Sequence, residues 1–316
     1  MKIGILTSGG DAPGMNAVIR TIVKVSNNYG IETFGIKRGY TGLLNEEIKK
    51  IGEFDVDYIS EAGGTILKTS RCPEFTTVEG RMKAIENLKK YNIDAVIVIG
   101  GDGSFQGANK LHELGVKVIG IPGTIDNDLE YTDYCIGFDT TLNTVLECIS
   151  KIKDTDASHE KPTIVEVMGR YCGDLALYSA MAGGGDIIST PERKLSFEEI
   201  AQKLKKNIEK GKQDSIIIIT ERMYNIEDLQ RYLEETLNIG VRNTVLGFIQ
   251  RGGNPSAFDR VLASRMGIHA VELLRKNESG KAVGIQDNNM ISVDICDVNK
   301  KRDIKESKYN LMELLL

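Results

Sequence analysis

Two short acidic loops carry the residue types that chemistry on a phosphate would need. Gly100-Gly101-Asp102-Gly103-Ser104 follows an apolar run at residues 95–99 and precedes a helical pattern. At such a junction, exposed backbone N–H groups and the helix dipole favour an anion. Asp102 inside that cradle would repel a polyphosphate unless a divalent cation lay between them, so the loop asks for Mg2+ bridging carboxylate and phosphate oxygens. A tight strand-to-helix turn is the plain alternative. Gly101, Gly103 and Gly107 also make a loose dinucleotide fingerprint, which by itself carries little weight.

Thr124-Ile125-Asp126-Asn127-Asp128 follows Pro122-Gly123 and sets two carboxylates one residue apart, which alternation along an extended chain would turn to one side. Transfer of a phosphoryl group to a hydroxyl needs a base and metal ligands, and an acidic loop facing a phosphate loop can supply both. An ordinary Asp, with a pKa of about 4, is already ionised at neutral pH and ready to accept the proton. As an isolated acidic turn the same segment would be unremarkable. A third loop, Ser8-Gly9-Gly10-Asp11-Ala12-Pro13-Gly14, reads either as a second phosphate cradle or as a flexible turn with an Asp cap. No Gly-Lys-Ser/Thr sequence is present, which removes a P-loop kinase.

These loops need elements to hold them. Residues 3–6, 95–99 and 116–121 are apolar runs that end in glycine and polar residues, as buried parallel strands do. Helical periodicity lies between them at 17–25 and 82–90. Alternating strand and helix predicts a doubly wound α/β sheet whose ligands bind beyond the carboxyl ends of the strands, where all three loops would lie. A second set, with strands at 163–168 and 215–220 and helices at 198–209 and 226–236, predicts a second, smaller domain. The expected division is 1–137 with 251–316 for the larger domain and 138–250 for the smaller, with a charge run at 300–308.

The 316 residues leave room for two domains. A net charge of −5 argues against a nucleic-acid coat and for small-molecule partners. The five cysteines are scattered and form no Cys-x-x-Cys pair, so neither zinc nor a disulfide framework is signalled and a reducing cytoplasm is the expected home. No apolar run approaches about 20 residues, so no membrane segment is expected.

Together the three loops resemble the ATP-dependent 6-phosphofructokinases of bacteria, and the resemblance runs from Lys2 to about Val298. It extends to Gly63-Gly64-Thr65, Ser70-Arg71-Cys72-Pro73-Glu74-Phe75, the stretch from Val165 through Met168-Gly169-Arg170-Tyr171-Cys172-Gly173-Asp174, and Leu246-Gly247 with Ile249-Gln250-Arg251-Gly252-Gly253. The resemblance implies two Rossmann-like α/β domains with mainly parallel sheets and an active site in the cleft between them. It also implies a kinase that transfers the γ-phosphate of Mg-ATP to the 1-hydroxyl of fructose 6-phosphate, the committed step of glycolysis.

In that family Gly10, Arg71, Cys72, Gly101, Asp102, Gly103 and Ser104 correspond to ATP contacts, with Asp102 holding Mg2+. Asp126 corresponds to the base, Thr124 and Ile125 lie along the substrate loop, and Asp128 supports the metal or the base. Arg71 would stabilise charge on the transferring phosphoryl group. Lys161, Met168, Gly169, Arg170, Glu221, Arg242, Phe248 and Arg251 correspond to the sugar-phosphate pocket, and Arg170 is also placed in the catalytic set. Relatives that use pyrophosphate carry Asp and Lys where this chain has Gly103 and Gly123, so ATP is the implied donor, the two glycines leaving room for its α-phosphate and ribose.

The family is usually a homotetramer in which Lys161 and Arg242 reach a neighbouring subunit's sugar phosphate. Arg20, Lys24, Lys153, Gly184, Gly185, Asp186, Lys210 and Lys212 match its effector site for ADP or phosphoenolpyruvate, whereas Glu53 and Tyr58 stand where it often has Arg and Asp. The rival readings are a kinase for a related acceptor such as tagatose 6-phosphate and a non-catalytic nucleotide sensor. NAD kinases and lipid kinases share a Gly-Gly-Asp-Gly loop but not the Asp126 segment or Met168-Gly169-Arg170. A sensor would be expected to lose Asp126, Arg71 or Asp102, and all three are present.

Two residues depart from the family near the 6-phosphate: Lys161 replaces an Arg and keeps the charge without the planar fork, and Phe248 replaces a His and cannot donate. Weaker sugar-phosphate binding follows. A hydrogen bond to a charged group contributes roughly 1.5–3 kcal/mol, so Phe248→His is expected to lower the Michaelis constant for fructose 6-phosphate about tenfold, as read from steady-state kinetics.

Overall fold

The computed structural model describes residues 1–298 and 306–315. In chain order it forms β1 (Lys2–Thr7), α1 (Met15–Asn28), β2 (Glu32–Ile36), α2 (Gly39–Leu44), β3 (Ile48–Ile51), α3 (Val78–Lys90), β4 (Ala95–Gly100), α4 (Asp102–Glu113) and β5 (Lys117–Pro122). There follow α5 (Phe138–His159), β6 (Thr163–Val167), α6 (Asp174–Gly183), β7 (Ile187–Ser189), α7 (Phe197–Glu209), β8 (Ile216–Thr220), α8 (Ile226–Leu237) and β9 (Arg242–Val245). The last elements are α9 (Ala257–Arg275), β10 (Lys281–Gln286), β11 (Asn289–Asp294) and α10 (Glu306–Glu313).

Two compact units result: residues 1–140 with the stretch that follows Gln250, and residues 141–250 with the described end of the chain. Among the described residues, the first unit holds a seven-stranded sheet of order β11-β10-β5-β4-β1-β2-β3. Its inner strands are parallel, and β3 and β11 close the edges antiparallel. The chain moves from β1 to β2 in one direction and from β4 to β5 in the other, so right-handed crossovers put α1 and α4 on opposite faces. All six residues of β4 are buried, as a strand covered on both faces requires. Leu6, Val96, Val98 and Val118 pack with Leu43, Leu88 and Phe105 on one side, while α1 packs against α9.

The second unit has a four-stranded parallel sheet, β7-β8-β6-β9, whose β8 is a run of four isoleucines and a threonine buried at every position. Its helices are bounded by side chains suited to the task. Ser196 and Glu199 form a reciprocal cap on α7, Asn225 accepts from the Asp228 N–H at the start of α8, and Gly184 and Asn238 end α6 and α8 in the left-handed region.

The expected strands at 3–6, 95–99, 116–121, 163–168 and 215–220 all form. The expectation that residues up to 316 return to the first domain does not hold for the described end. Lys308 pairs with Asp174 at 2.7 Å, Tyr309 bonds Thr190 and Glu192, and Arg193 pairs with Glu313, so α10 lies on the second unit. A short polar-and-apolar helix with a buried Tyr309 and Met312 docks where it finds partners, and composition does not reveal that. Residues 299–305, most of the expected charge run, lie outside the described residues. No described helix is long and apolar enough to cross a membrane.

Candidate active site

In the first unit the order of the sheet reverses between β1 and β4, and the polar loops leave from the carboxyl ends there. The sheet ladder continues past the strands. Ser8 N–H donates to the Ile99 carbonyl at 3.0 Å, and Gly123 N–H donates to the Gly100 carbonyl at 3.0 Å. A Cβ on Gly101 would stand 3.5 Å from the Thr124 Cβ, so the Asp102 and Asp126 loops abut.

Asp102 is the first residue of α4, half-buried, with Gly101 as the cap. Gln106, one turn on, donates to both of its carboxylate oxygens at 3.0 Å and fixes the side chain at the helix N-terminus. Mg2+ fits this setting: it takes one or two carboxylates and completes its shell with water and phosphate oxygens, and Asp102 stands where an anion would meet the helix dipole. Among the described residues no group of three or more His, Cys, Asp or Glu is placed to hold a metal ion.

The glycines of this region serve different ends. A Cβ on Gly103 would meet nothing within 4 Å, so the space beside it is open. Gly123 differs, since its Cβ would press on Ile99 and Met15 at 3.1 and 3.2 Å. Of the two glycines expected to leave room for a nucleotide, only Gly103 borders open space, and Gly123 is small because the core lies against it. Gly107 is not part of a nucleotide fingerprint. A Cβ there would stand 2.8 Å from the ring of Tyr40, which is buried, stacks on Phe75 with centroids 4.0 Å apart, and donates to the Ser104 carbonyl at 2.7 Å. Tyr40 thereby links α4 to the segment that bears Arg71 and Cys72. Arg71 is exposed and Cys72 is half-buried.

The Asp126 segment is not extended. Residues 125 and 126 form a turn and Asn127 takes a left-handed conformation with φ 52°, so simple alternation does not place Asp126 and Asp128. Asn127 organises the turn instead: its side chain accepts from Cys135 N–H at 2.8 Å and donates to the Asp133 carbonyl at 3.2 Å. Asp126 is 4% exposed, and its N–H donates to Thr124 Oγ1 at 3.2 Å. One oxygen of each carboxylate, Asp126 and Asp128, is shut off from solvent.

The first loop carries Gly10 against the guanidinium of Arg251, which a side chain at position 10 would displace. Arg251 Nη1 donates to the Asp11 carbonyl at 3.5 Å, so this expected sugar-phosphate residue stands beside the first loop. Buried Asn16 binds the Ala62 and Gly63 carbonyls and the Ile66 N–H, and Gly63 abuts the Gly253 backbone. The matched stretches at 8–14, 63–65 and 251–253 are thus neighbours.

In the second unit Met168, Gly169 and Arg170 follow the carboxyl end of β6, and Glu221 follows that of β8, its N–H bonded to the Val167 carbonyl at 2.8 Å. Gly169, with φ 133°, and Arg170, with φ 54°, make a turn closed by Cys172 N–H on the Gly169 carbonyl. Gln250 is fully buried and holds this turn: its Oε1 accepts from Met168 N–H at 3.0 Å and its Nε2 donates to the Gly247 carbonyl. Burial, and then the nearby charges of Glu221 and Glu227, raise the carboxyl pKa of Glu166. Phe248 is 83% exposed.

Lys161 and Arg242 are not brought to that turn. Lys161 precedes β6, and Arg242 is level with Thr163, at the opposite end of the same strands. Arg242 lies 3.4 Å from the buried Asp156, whose carboxyl burial raises despite the opposing pull of a Thr163 hydrogen bond and Arg242. Of the effector set, Lys153, Gly184, Asp186 and Lys212 gather in the second unit. Lys153 donates to the Gly183 carbonyl and lies against Gly184, while Asp186 pairs with Lys212 and accepts from Ile216 N–H. Gly185 lies between them in sequence, and Lys210 closes α7. Arg20 and Lys24 are one turn apart on α1 of the first unit, where Lys24 pairs with Asp57 and Glu53 accepts from Asn27. Tyr58 is 86% exposed.

Gln106, Asn127, Asp156 and Gln250 escaped the sequence reading as positioning groups. Gln106 had a signal, its spacing of four from Asp102 on a helix.

Known proteins are similar to this chain in sequence and in fold. The phosphofructokinase family model matches residues 2–274. The ATP-dependent 6-phosphofructokinase of Clostridioides difficile is 52% identical over 99% of this chain and 98% of its own length. That of Bacillus pumilus is 51% identical over 99% of each. In structure, phosphofructokinase from Saccharomyces cerevisiae superposes with a TM-score of 0.89 at 33% identity, covering 99% of this chain and 47% of that longer one. The family match takes in all three polar loops, β1 to β5 of the larger sheet and the whole of the smaller one, and the chain belongs to the phosphofructokinase family.

Proposed function

We propose that this chain transfers the γ-phosphate of Mg-ATP to the 1-hydroxyl of fructose 6-phosphate, giving fructose 1,6-bisphosphate and ADP. The observation that carries the reading is the junction of the Asp102 and Asp126 loops, Gly101 against Thr124, beyond the ends of β4 and β5. It sets an anion-favouring helix N-terminus beside a buried carboxylate. The names of the curated relatives, held at about half identity over nearly the whole chain, support the same donor and reaction.

Asp126 takes the proton of the acceptor hydroxyl, and its burial places that carboxylate away from competing water. Thr124 and the exposed guanidinium of Arg71 donate to the transferring phosphoryl group, whose charge spreads over its outer oxygens as bonds loosen. Arg170, Met168, Gly169 and Glu221 orient the sugar phosphate, with Arg251 contributing from beside the first loop. Mg2+ held by Asp102, with Asp128 in support, would neutralise phosphate charge. Open space beside Gly103 suits a nucleotide donor.

Lys161 and Arg242, at the far end of the sheet from Met168 and Arg170, serve the site of a neighbouring subunit in a homotetramer. The grouping of Lys153, Gly184, Asp186 and Lys212 supports an effector site for ADP or phosphoenolpyruvate, which Arg20, Lys24, Gly185 and Lys210 complete. A reducing cytoplasm suits five cysteines that form no disulfide among the described residues.

A coupled assay offering ATP or pyrophosphate with fructose 6-phosphate and tagatose 6-phosphate checks the reaction. Asp126→Asn is expected to lower kcat by about 10²–10⁴ with little change in either Michaelis constant, and equal activity would remove Asp126 as the base. Gly103→Ala is expected to raise the Michaelis constant for ATP while leaving stability unchanged or up to about 1 kcal/mol higher, since alanine favours the helix. Gly123→Ala should instead lower the urea midpoint by overpacking Ile99 and Met15, at a cost of about 1–3 kcal/mol. At subsaturating sugar phosphate, an ADP titration should change the velocity, and a flat curve would count against the effector site.

A further inference from the structure

Asp259, in the first turn of α9, is fully buried, and no basic group is among the causes that shift its carboxyl. Its partners are all donors from one segment. Oδ1 accepts from Gly137 N–H at 2.9 Å, and Oδ2 accepts from Thr140 N–H at 2.8 Å and Thr140 Oγ1 at 2.5 Å. These are amides at the start of α5, where a helix leaves N–H groups without internal partners. Burial pushes the carboxyl up to about 6. Against an unfolded-chain value of about 4, this side chain favours folding in acid and loses that contribution as pH rises through about 6. At neutral pH the fold is held less strongly by the ionised group than by its protonated form, which invites a reason for the carboxylate's presence.

The reason lies one residue upstream. Three consecutive amides, Cys135, Ile136 and Gly137, donate in turn to the Asn127 side chain, the Pro122 carbonyl and Asp259. The first two acceptors flank the Asp126 turn, and Ile136 also forms a bridge with Gly123. Residues 135–137 are therefore a strut with the Asp126 turn on one side and the Asp259 carboxylate on the other. The first loop rides on the same strut. A Cβ on Gly14 would stand 2.6 Å from the Ile136 side chain and 3.7 Å from Asp259 Cβ, and one on Gly137 would stand 2.8 Å from Ala12 Cβ.

We propose that Asp259 is a positioning residue for phosphoryl transfer, anchoring the 135–137 strut so that the Asp126 turn and the first loop keep one fixed placement. The inference rests on the reading of Asp126 as the base. An acceptor on both oxygens is required: an amide at position 259 turns an NH2 group toward either Gly137 or Thr140, two donors facing each other. Misplacing a reacting group by about 1 Å can cost on the order of 10²-fold in rate.

The test compares Asp259→Asn in the native chain and in the Asp126→Asn background, with kcat, both Michaelis constants and the urea midpoint measured for each. The expected result is a fall in kcat of about tenfold or more in the native background with Michaelis constants within about twofold, and little further fall once Asp126 is gone. Thr140→Val, which removes the hydroxyl donor to Asp259 together with the acceptor of Ser256 N–H, should show the same pattern to a smaller degree, and Thr140→Ser should restore activity; this pair carries the test where Asp259→Asn does not fold. An unchanged kcat, an equal fall in both backgrounds, or a fall matching the unfolded fraction would overturn the proposal. Full activity of Asp126→Asn by itself would remove the base reading and the proposal with it.

Discussion

The first unit's chemistry depends on a ladder of backbone hydrogen bonds that does not stop where the strands stop. Ser8 N–H on the Ile99 carbonyl and Gly123 N–H on the Gly100 carbonyl carry the pairing of β1, β4 and β5 into the loops. Residues beyond a strand end ordinarily gain conformational freedom, and these do not. The Gly101–Thr124 approach follows from that shared register, since parallel neighbours end level at their carboxyl edge.

Beyond the ladder, the loops are held by a few buried polar side chains. Asn16 binds the 62–66 stretch, Asn127 closes the Asp126 turn, Gln250 holds Met168, and Asp259 holds the start of α5. Burying such groups is favourable only when their hydrogen bonds are made. Each has its partners on the main chain of a functional loop, so the polar cost is offset where conformation matters. A loop built this way resists small displacements without regular secondary structure of its own.

Glycine illustrates how one residue type answers to different neighbours. Gly103 borders open space, Gly107 admits the Tyr40 ring, Gly123 yields to Ile99 and Met15, and Gly10 admits the Arg251 guanidinium. In the chain Gly10, Gly103 and Gly107 read as glycines of candidate phosphate loops, and Gly123 as a position that selects the donor. Only Gly103 keeps a purely ligand-facing explanation, and the others are equally constraints of packing.

The alternating α/β pattern, the strand ends that bear the loops, and the residues with reactive side chains were legible in the chain. A fully buried parallel strand must be an unbroken apolar run, and a phosphate loop must break it with glycine. Strands such as β9, Arg242–Val245, gave no such signal because their residues are half-exposed and polar. The expected strand at 163–168 already separates Lys161 from Met168 and Arg170, whereas the separation of Arg242 depends on the register of β9 on β6 and was invisible for the same reason. Residue type and local spacing settled which groups could take a proton, hold a cation or meet a phosphate, because those properties belong to the side chain. Tertiary structure alone decided the turn at Asp126, the docking of α10 on the second unit, and the placement of Asp259 behind the Asp126 strut. The Asp126 turn is closed by Asn127 on residues six and eight positions on, whereas the other two depend on hydrogen bonds between residues 119 to 134 positions apart, and no local pattern encodes those partners.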